Sequence, residues 1–222
     1  MAEPIRLLLA DDQQMVRAGF RLVLDAQSDM VVLGEVDDGV QAIAACADTP
    51  PDVVLMDIRM PRMDGIAATE EIVAAHPDTR VLVLTTFDLD EYVFAALKAG
   101  ASGFMLKDAR PAELLAAIRD VAAGDAVVAP SATRRLLDHI APSLPANPGQ
   151  SGPDPRLEVL TERELEVLTE IAHGATNAEI GARLYMAEGT VKTHIGRLLS
   201  KLQARDRVGL VLFAYETGIA GR

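Results

Sequence analysis

Along residues 1–124, short runs of continuous apolar side chains alternate with longer segments in which apolar positions recur every three to four residues. Continuous runs suit strands buried on both faces, whereas the longer recurrence marks helices with one buried side. The runs predict strands at 5–10, 30–36, 53–56, 80–85 and 103–106, and the periodic segments predict helices at 14–26, 38–47, 65–75, 89–99 and 110–123. Gly100 and Gly124 stand where the last two of these helices should stop. Such strict alternation points to an α/β fold, a five-stranded, parallel, doubly wound sheet covered by helices on both sides.

The pattern changes after residue 124. Between 142 and 155, five of fourteen residues are proline, two are glycine and one is charged, so this stretch reads as a linker. A short helix is expected just ahead of it, at 131–140. From 157 onward every periodic segment is helical, at 162–172, 177–184, 188–202 and 206–217. Two of these open with capping boxes, Thr161 with Glu164 and Thr176 with Glu179. The chain thus divides into an α/β unit over 1–124, a linker over 125–156 and a small all-α, four-helix unit over 157–222.

Composition and charge narrow the function classes. With 50% hydrophobic and 24% charged residues, the chain can bury cores and is neither fibrous nor wholly disordered. Its single cysteine, Cys46, cannot form an internal disulfide, which fits a reducing, cytoplasmic setting. No apolar run approaches the roughly 18 residues of a membrane span, so no membrane partner is expected. The net charge of −12 argues at first against nucleic acid, because binding phosphates requires cations. That total conceals a division. Residues 1–150 hold 23 acids and 12 bases, a net of −11, whereas 151–222 hold 10 acids and 9 bases, a net of −1. Within 186–207, Lys192, Arg197, Lys201, Arg205 and Arg207 face only Glu188 and Asp206, a local charge of +3.

In a doubly wound sheet, chemistry gathers at the carboxyl ends of the strands. Asp11 and Asp12 follow the first strand, Asp57 the third, Thr85 and Thr86 end the fourth, and Lys107 ends the fifth. Three carboxylates brought together repel one another and need a cation, and hard oxygen ligands with open water positions suit Mg²⁺. A metal beside a lysine and a hydroxyl is a place to receive a phosphoryl group, with Asp57 as the nucleophile and Lys107 pairing with the phosphoryl oxygens.

Residues 1–124 resemble the receiver domain of bacterial two-component response regulators, a flavodoxin-like fold. The likeness rests on LLLADDQQMVR, on DVVLMDIRMPRMDG around Asp57, on VLVLTTFD and on KAGASGFMLKD. It implies that Asp57 accepts phosphate from the phosphohistidine of a sensor histidine kinase, and that Asp11, Asp12, Asp57 and the Arg59 backbone carbonyl hold Mg²⁺. Thr85 and Phe104 match the family's switch pair, in which the hydroxyl turns toward the phosphoryl group and the ring moves inward behind it. Asp108 follows Lys107 where many receivers have a cis proline, so no such bond is expected here.

On a helical wheel, Val191, Ile195, Leu198, Leu199 and Leu202 fall on one face, opposite Thr193, Gly196, Arg197 and Ser200, with Lys192 and Lys201 at the flanks. The polar face is small and basic, a form that the major groove of duplex DNA admits. LTERELEVLTEIAHGATNAEIGARLYMAEGTVKTHIGRLLSKL resembles the LuxR-type helix-turn-helix of the NarL/FixJ family. By that resemblance 188–202 is the recognition helix, Lys192, Thr193 and Gly196 fall where relatives contact bases, and Thr190, Arg197 and Lys201 touch phosphates. His194 either contacts the DNA backbone or fills the side of the helix. Ala187 sits where Ser or Thr commonly caps the recognition helix, which forfeits about 1 kcal/mol. The last helix, through Val208, Val211, Leu212 and Tyr215, would be the dimer contact.

The expected protein is a regulator rather than a metabolic enzyme, catalysing only its own phosphorylation and dephosphorylation. Its implied partners are a sensor histidine kinase, double-stranded promoter DNA, RNA polymerase and, when phosphorylated, a second copy of itself. A Mg²⁺-dependent phosphatase would show a D-x-D pattern, which Ile58 and Arg59 after Asp57 do not supply. The alternative is a transcription factor independent of phosphorylation, whose first domain is only a dimerisation or partner-binding module.

Overall fold

A computed structural model describes residues 3–86, 90–124, 127–128 and 154–219, with the backbone alone at 90, 91, 93, 94, 127 and 128. The expected helix at 131–140 and most of the expected linker lie outside the described residues. The chain forms two compact units, Met1–Ala129 and Pro130–Arg222.

In the first unit, strands β1 (Ile5–Ala10), β2 (Met30–Val36), β3 (Val53–Asp57), β4 (Arg80–Thr85) and β5 (Gly103–Leu106) alternate with helices α1 (Gln14–Asp25), α2 (Gly39–Asp48), α3 (Gly65–Ala75), α4 (Asp90–Lys98) and α5 (Pro111–Ala122). All the strands pair in parallel. Their order is β2-β1-β3-β4-β5, extended beyond β5 by a two-residue strand, β6 (Val127–Val128). β6 falls within the stretch read from sequence as linker, because two residues are too few to carry a period. Connections run outward in opposite directions from the junction of β1 and β3, which leaves a crevice at the carboxyl ends of those two strands.

Alternate residues of the strands face opposite sides of the sheet. Leu7, Leu9, Val53, Leu55, Leu82 and Leu84 pack with Leu24 of α1 and Leu114, Ile118 and Val121 of α5 in one core. Their neighbours Leu8, Val54, Met56, Val81 and Val83 are equally buried on the other side. The continuous apolar runs therefore have a physical cause: neither face of the central strands meets water. Gly100 takes φ +96°, a left-handed conformation that ends α4 without a side-chain penalty.

The second unit contains a 3₁₀ turn at Pro155–Leu157 and helices α6 (Glu162–Ala172), α7 (Asn177–Arg183), α8 (Glu188–Leu202) and α9 (Arg207–Glu216). Both predicted capping boxes form, with Thr161 accepting from the Glu164 N–H and Thr176 from the Glu179 N–H. Val167, Leu168, Ile171, Ile180, Val191, Ile195, Leu198, Leu210 and Ala214 make the core. No helix among the described residues is long and apolar enough to cross a membrane.

Candidate functional site

The parallel register carries the three carboxylates to one place. Ala10 of β1 pairs with Met56 of β3, so Asp11 and Asp57 end adjacent strands side by side. One carboxylate oxygen each from Asp11, Asp12 and Asp57 lies within 4.8 Å of the others. Asp11 and Asp57 are buried and Asp12 is exposed. Lys107, just past β5, brings its Nζ 2.6 Å from Asp11 Oδ2 and 3.0 Å from Asp57 Oδ2. Asp11 Oδ1 accepts from the Gln13 N–H at 2.9 Å, and Asp57 Oδ1 from the Ile58 N–H at 2.8 Å.

One ammonium among three carboxylates leaves a deficit of positive charge. Burial pushes the Asp57 carboxyl above its ordinary range; Lys107 pulls it down and Asp11 adds to the rise. A small divalent cation would relieve this imbalance, and an all-oxygen donor set open to solvent at Asp12 suits Mg²⁺ rather than a softer metal. The residues present thus fit a hard cation.

Thr85 ends β4 one residue beyond the partner of Asp57, and is buried; its carbonyl accepts from the Lys107 N–H at 2.8 Å. Phe104 lies on β5 opposite Val83 with its ring buried. Arg59 is exposed on the turn after β3. There is no cis peptide among the described residues, the 107–108 bond included.

The site depends on a residue that its motif did not single out. A Cβ at Gly65 would lie 1.9 Å from the Asp57 carbonyl oxygen. The start of α3 therefore closes directly on the end of β3, and the Gly65 N–H donates to the Ile58 carbonyl at 2.8 Å. Gly65 closes the DVVLMDIRMPRMDG motif, but the sequence does not say which backbone atom it approaches.

In the second unit, α8 buries Val191, Ile195 and Leu198 and exposes Thr190, Lys192, Thr193, Gly196 and Arg197 on its other side. Nothing lies within 4 Å of a Cβ built on Gly196, so this face is open at that point. The helix begins without a side-chain cap at Ala187. His194 is half-buried, and its Nδ1 is enclosed without a hydrogen-bond partner.

Lys201 behaves differently from the rest of the basic group. Its Nζ donates to Glu164 Oε2 at 2.7 Å and to the Val159 carbonyl at 3.0 Å, tying the end of α8 to the start of α6. Burial alone would raise the Glu164 carboxyl, but Lys201 and the Thr161 N–H and hydroxyl outweigh it and hold it down at about 2. Arg207 is committed too, donating to Asn177 Oδ1 at 2.8 Å and to the Ala175 carbonyl. Of the four residues expected at a dimer contact, Val208 and Val211 are buried within the unit's own core, whereas Leu212 and Tyr215 are half-buried.

The response regulator receiver domain family matches residues 7–119, and the luxR family of bacterial regulatory proteins matches residues 158–214. The chain is 46% identical over 217 residues to YxjL, a transcriptional regulatory protein of Bacillus subtilis, covering 98% of each. It is 40% identical over 212 residues to the transcriptional regulatory protein LiaR of the same organism, covering 95% of this chain and 97% of LiaR. Among solved structures it is similar to the response regulator ChrA of a heme-sensing two-component system, at 34% identity and a TM-score of 0.53 over 98% of this chain and 100% of that one. Two matched domains in this order, and relatives alike from end to end, make this chain a member of the two-component response regulators of the NarL/FixJ type, a receiver followed by a LuxR-type DNA-binding domain.

Proposed function

We propose that Asp57 is the phospho-acceptor through which a sensor histidine kinase controls this regulator. The observation that carries the reading is the convergence of Asp11, Asp12, Asp57 and Lys107 at the ends of β1, β3 and β5. In the transfer, an Asp57 oxygen forms a bond to phosphorus as the bond from phosphorus to the kinase histidine breaks, and that ring, protonated on its other nitrogen, leaves as a neutral imidazole. Mg²⁺ bound by Asp11, Asp12, Asp57 and the Arg59 carbonyl would supply the charge that stabilises the transferring oxygens. Lys107 then exchanges its pairing with Asp57 for one with a phosphoryl oxygen. Thr85 would donate its hydroxyl to another, with the Phe104 ring, already buried, packed behind it. These movements favour a homodimer whose α8 helices enter the major groove of promoter DNA, with Lys192, Thr193 and Gly196 at the bases and Thr190 and Arg197 at phosphates. Lys201 is assigned to phosphate only insofar as it leaves Glu164, and His194, enclosed at Nδ1, is assigned to the helix side. RNA polymerase is the partner that reads the outcome, and the cytoplasm is the compartment in which kinase and DNA are both at hand. The chain between β6 and the 3₁₀ turn at Pro155–Leu157 joins the two domains. The receiver's chemistry is confined to gaining and losing its own phosphoryl group.

Incubation with a small acyl phosphate and Mg²⁺ should label the wild type with one acid-stable, base-labile phosphoryl group and tighten DNA binding. Asp57→Asn should lose both effects. An Asp57→Asn variant that regulates normally in cells would instead support the phosphorylation-independent reading.

A further inference from the structure

Strand β2 contributes no residue to the acidic site, yet both loops that carry its carboxylates are fastened to the carboxyl end of β2. The Asp11 N–H donates to the Val36 carbonyl at 3.1 Å. Arg17, in the first turn of α1, reaches back and donates from Nη1 to the Asp11 backbone carbonyl. Its Nε lies 3.5 Å from Glu35 Oε2, and Glu35 Oε1 accepts from Arg21 at 3.1 Å. On the other loop, Arg62 pairs with Asp37 at 3.1 Å and with the buried Asp38, while the Gly39 N–H donates to the Met63 carbonyl at 3.1 Å.

The carbonyl held by Arg17 belongs to the peptide that joins Asp11 to Asp12. A planar peptide whose carbonyl is fixed holds both flanking Cα atoms in place, and these are the atoms from which the Asp11 and Asp12 side chains leave. Only 15% of the Arg17 side chain is exposed, so little water competes for its donors. Arg62 tells the same story from its backbone. It has φ +64°, a left-handed conformation that a non-glycine residue adopts only at a cost and that glycine would adopt freely. Its guanidinium, on the loop that carries the Arg59 carbonyl, bridges two aspartates beyond β2.

We propose that Arg17 and Arg62 are positioning residues of the metal site: each tethers one ligand-bearing loop to β2 so that Asp11, Asp12, Asp57 and the Arg59 carbonyl stay within reach of one ion. This rests on the reading of the site as one for Mg²⁺. The sign of the effect distinguishes positioning from simple charge. Removing a cation near three carboxylates should by Coulomb attraction alone strengthen Mg²⁺ binding, whereas loss of positioning weakens it.

Calorimetric titration of the full chain with Mg²⁺, paired with urea unfolding of each variant, tests this. Arg17→Ala should weaken Mg²⁺ binding about 10-fold. Arg17→Lys, which retains one N–H for the same carbonyl, should recover most of the loss. Arg62→Gly keeps the backbone conformation without the tether and should cost about 3-fold, less than the roughly 10-fold or more of a well-buried partner because the Arg62 side chain is 58% exposed. Equal or tighter Mg²⁺ binding in Arg17→Ala and Arg62→Gly would overturn the proposal, as would a loss that only tracks the unfolded fraction. A wild type that takes up no Mg²⁺ while the variants remain folded would overturn the metal reading itself.

Discussion

At Gly65 a single hydrogen separates a closed site from a blocked one. The Cβ of an alanine would meet the Asp57 carbonyl oxygen at 1.9 Å and Met56 Cγ at 2.9 Å. Neither atom has room to withdraw, because Met56 and Asp57 are paired with Val83 and Leu84 in the middle of the sheet. Gly65→Ala should therefore destabilise the receiver by about 2–3 kcal/mol, the range expected of overpacking against a fixed backbone. It should also abolish phosphoryl uptake from an acyl phosphate; wild-type labelling of a folded Gly65→Ala chain would show that Asp57 does not need this approach. Asp11, Asp12, Asp57 and Lys107 were legible in the sequence because each directly follows an apolar run, and strand ends in this fold share one rim. Arg17, Arg62 and Gly65 lie within the same sequence motifs, but what they do there was not legible. Their roles depend on which loops lie beside β2 and β3, a consequence of strand order that no local pattern encodes.

Among the elements, α8 shows best how far periodicity reaches. Its buried and exposed faces follow the wheel closely, since a helix of 15 residues with one apolar side has few other ways to pack. What the wheel could not assign was Lys201. Its partner Glu164 lies 37 residues earlier, and only the packing of α6 against α8 brings the two together. Lys201→Ala should cost about 1–2 kcal/mol, less than a fully buried pair because the ammonium is 37% exposed. The pH dependence has a definite sign. A carboxyl depressed from 4.5 to about 2 stabilises the fold fully above the ordinary value, and the contribution disappears as pH falls from there toward about 2. Thermal unfolding of the wild type should therefore lose more stability than Glu164→Gln between about pH 5 and pH 3; parallel curves would show that the pair contributes nothing. At the other end of α8, Ala187 already has the extended backbone of a capping residue, φ −68° and ψ 147°, but no side-chain acceptor. Ala187→Ser should add about 1 kcal/mol of stability, measurable as a raised unfolding temperature of the second unit. The five predicted strands were equally plain, being apolar on both faces, whereas β6 was too short to register.

For the molecule as a whole, the charge of −12 is a sum over unlike parts, and the structure reduces its positive share further. Five cations lie within 186–207. Lys201 is held by Glu164 and the Val159 carbonyl, and Arg207 by Asn177 and the Ala175 carbonyl, so neither faces a phosphate at no cost. Arg205 has its Nε enclosed. Lys192 and Arg197 remain exposed on α8 beside the small residues Thr193 and Gly196. Each phosphate neutralised by a cation releases condensed counterions, and the logarithm of affinity falls with that of salt by roughly 0.9 per contact. Two cations of α8 per chain, Lys192 in the groove among the bases and Arg197 at a phosphate, predict a slope of about −2 for one copy and about −4 for two, with weak nonspecific binding in either case. Doubling the contacts on one duplex is then the principal way for this chain to gain affinity, which makes pairing of two copies the natural point of control. Fluorescence anisotropy of a labelled promoter duplex across a salt series, with and without an acyl phosphate, measures both quantities. The slope should steepen about twofold on phosphorylation as two copies engage. A slope that steepens to about −7 for two copies would mean that Lys201 and Arg207 abandon their partners for phosphate, and that the fold's own ion pairs are exchanged on binding DNA.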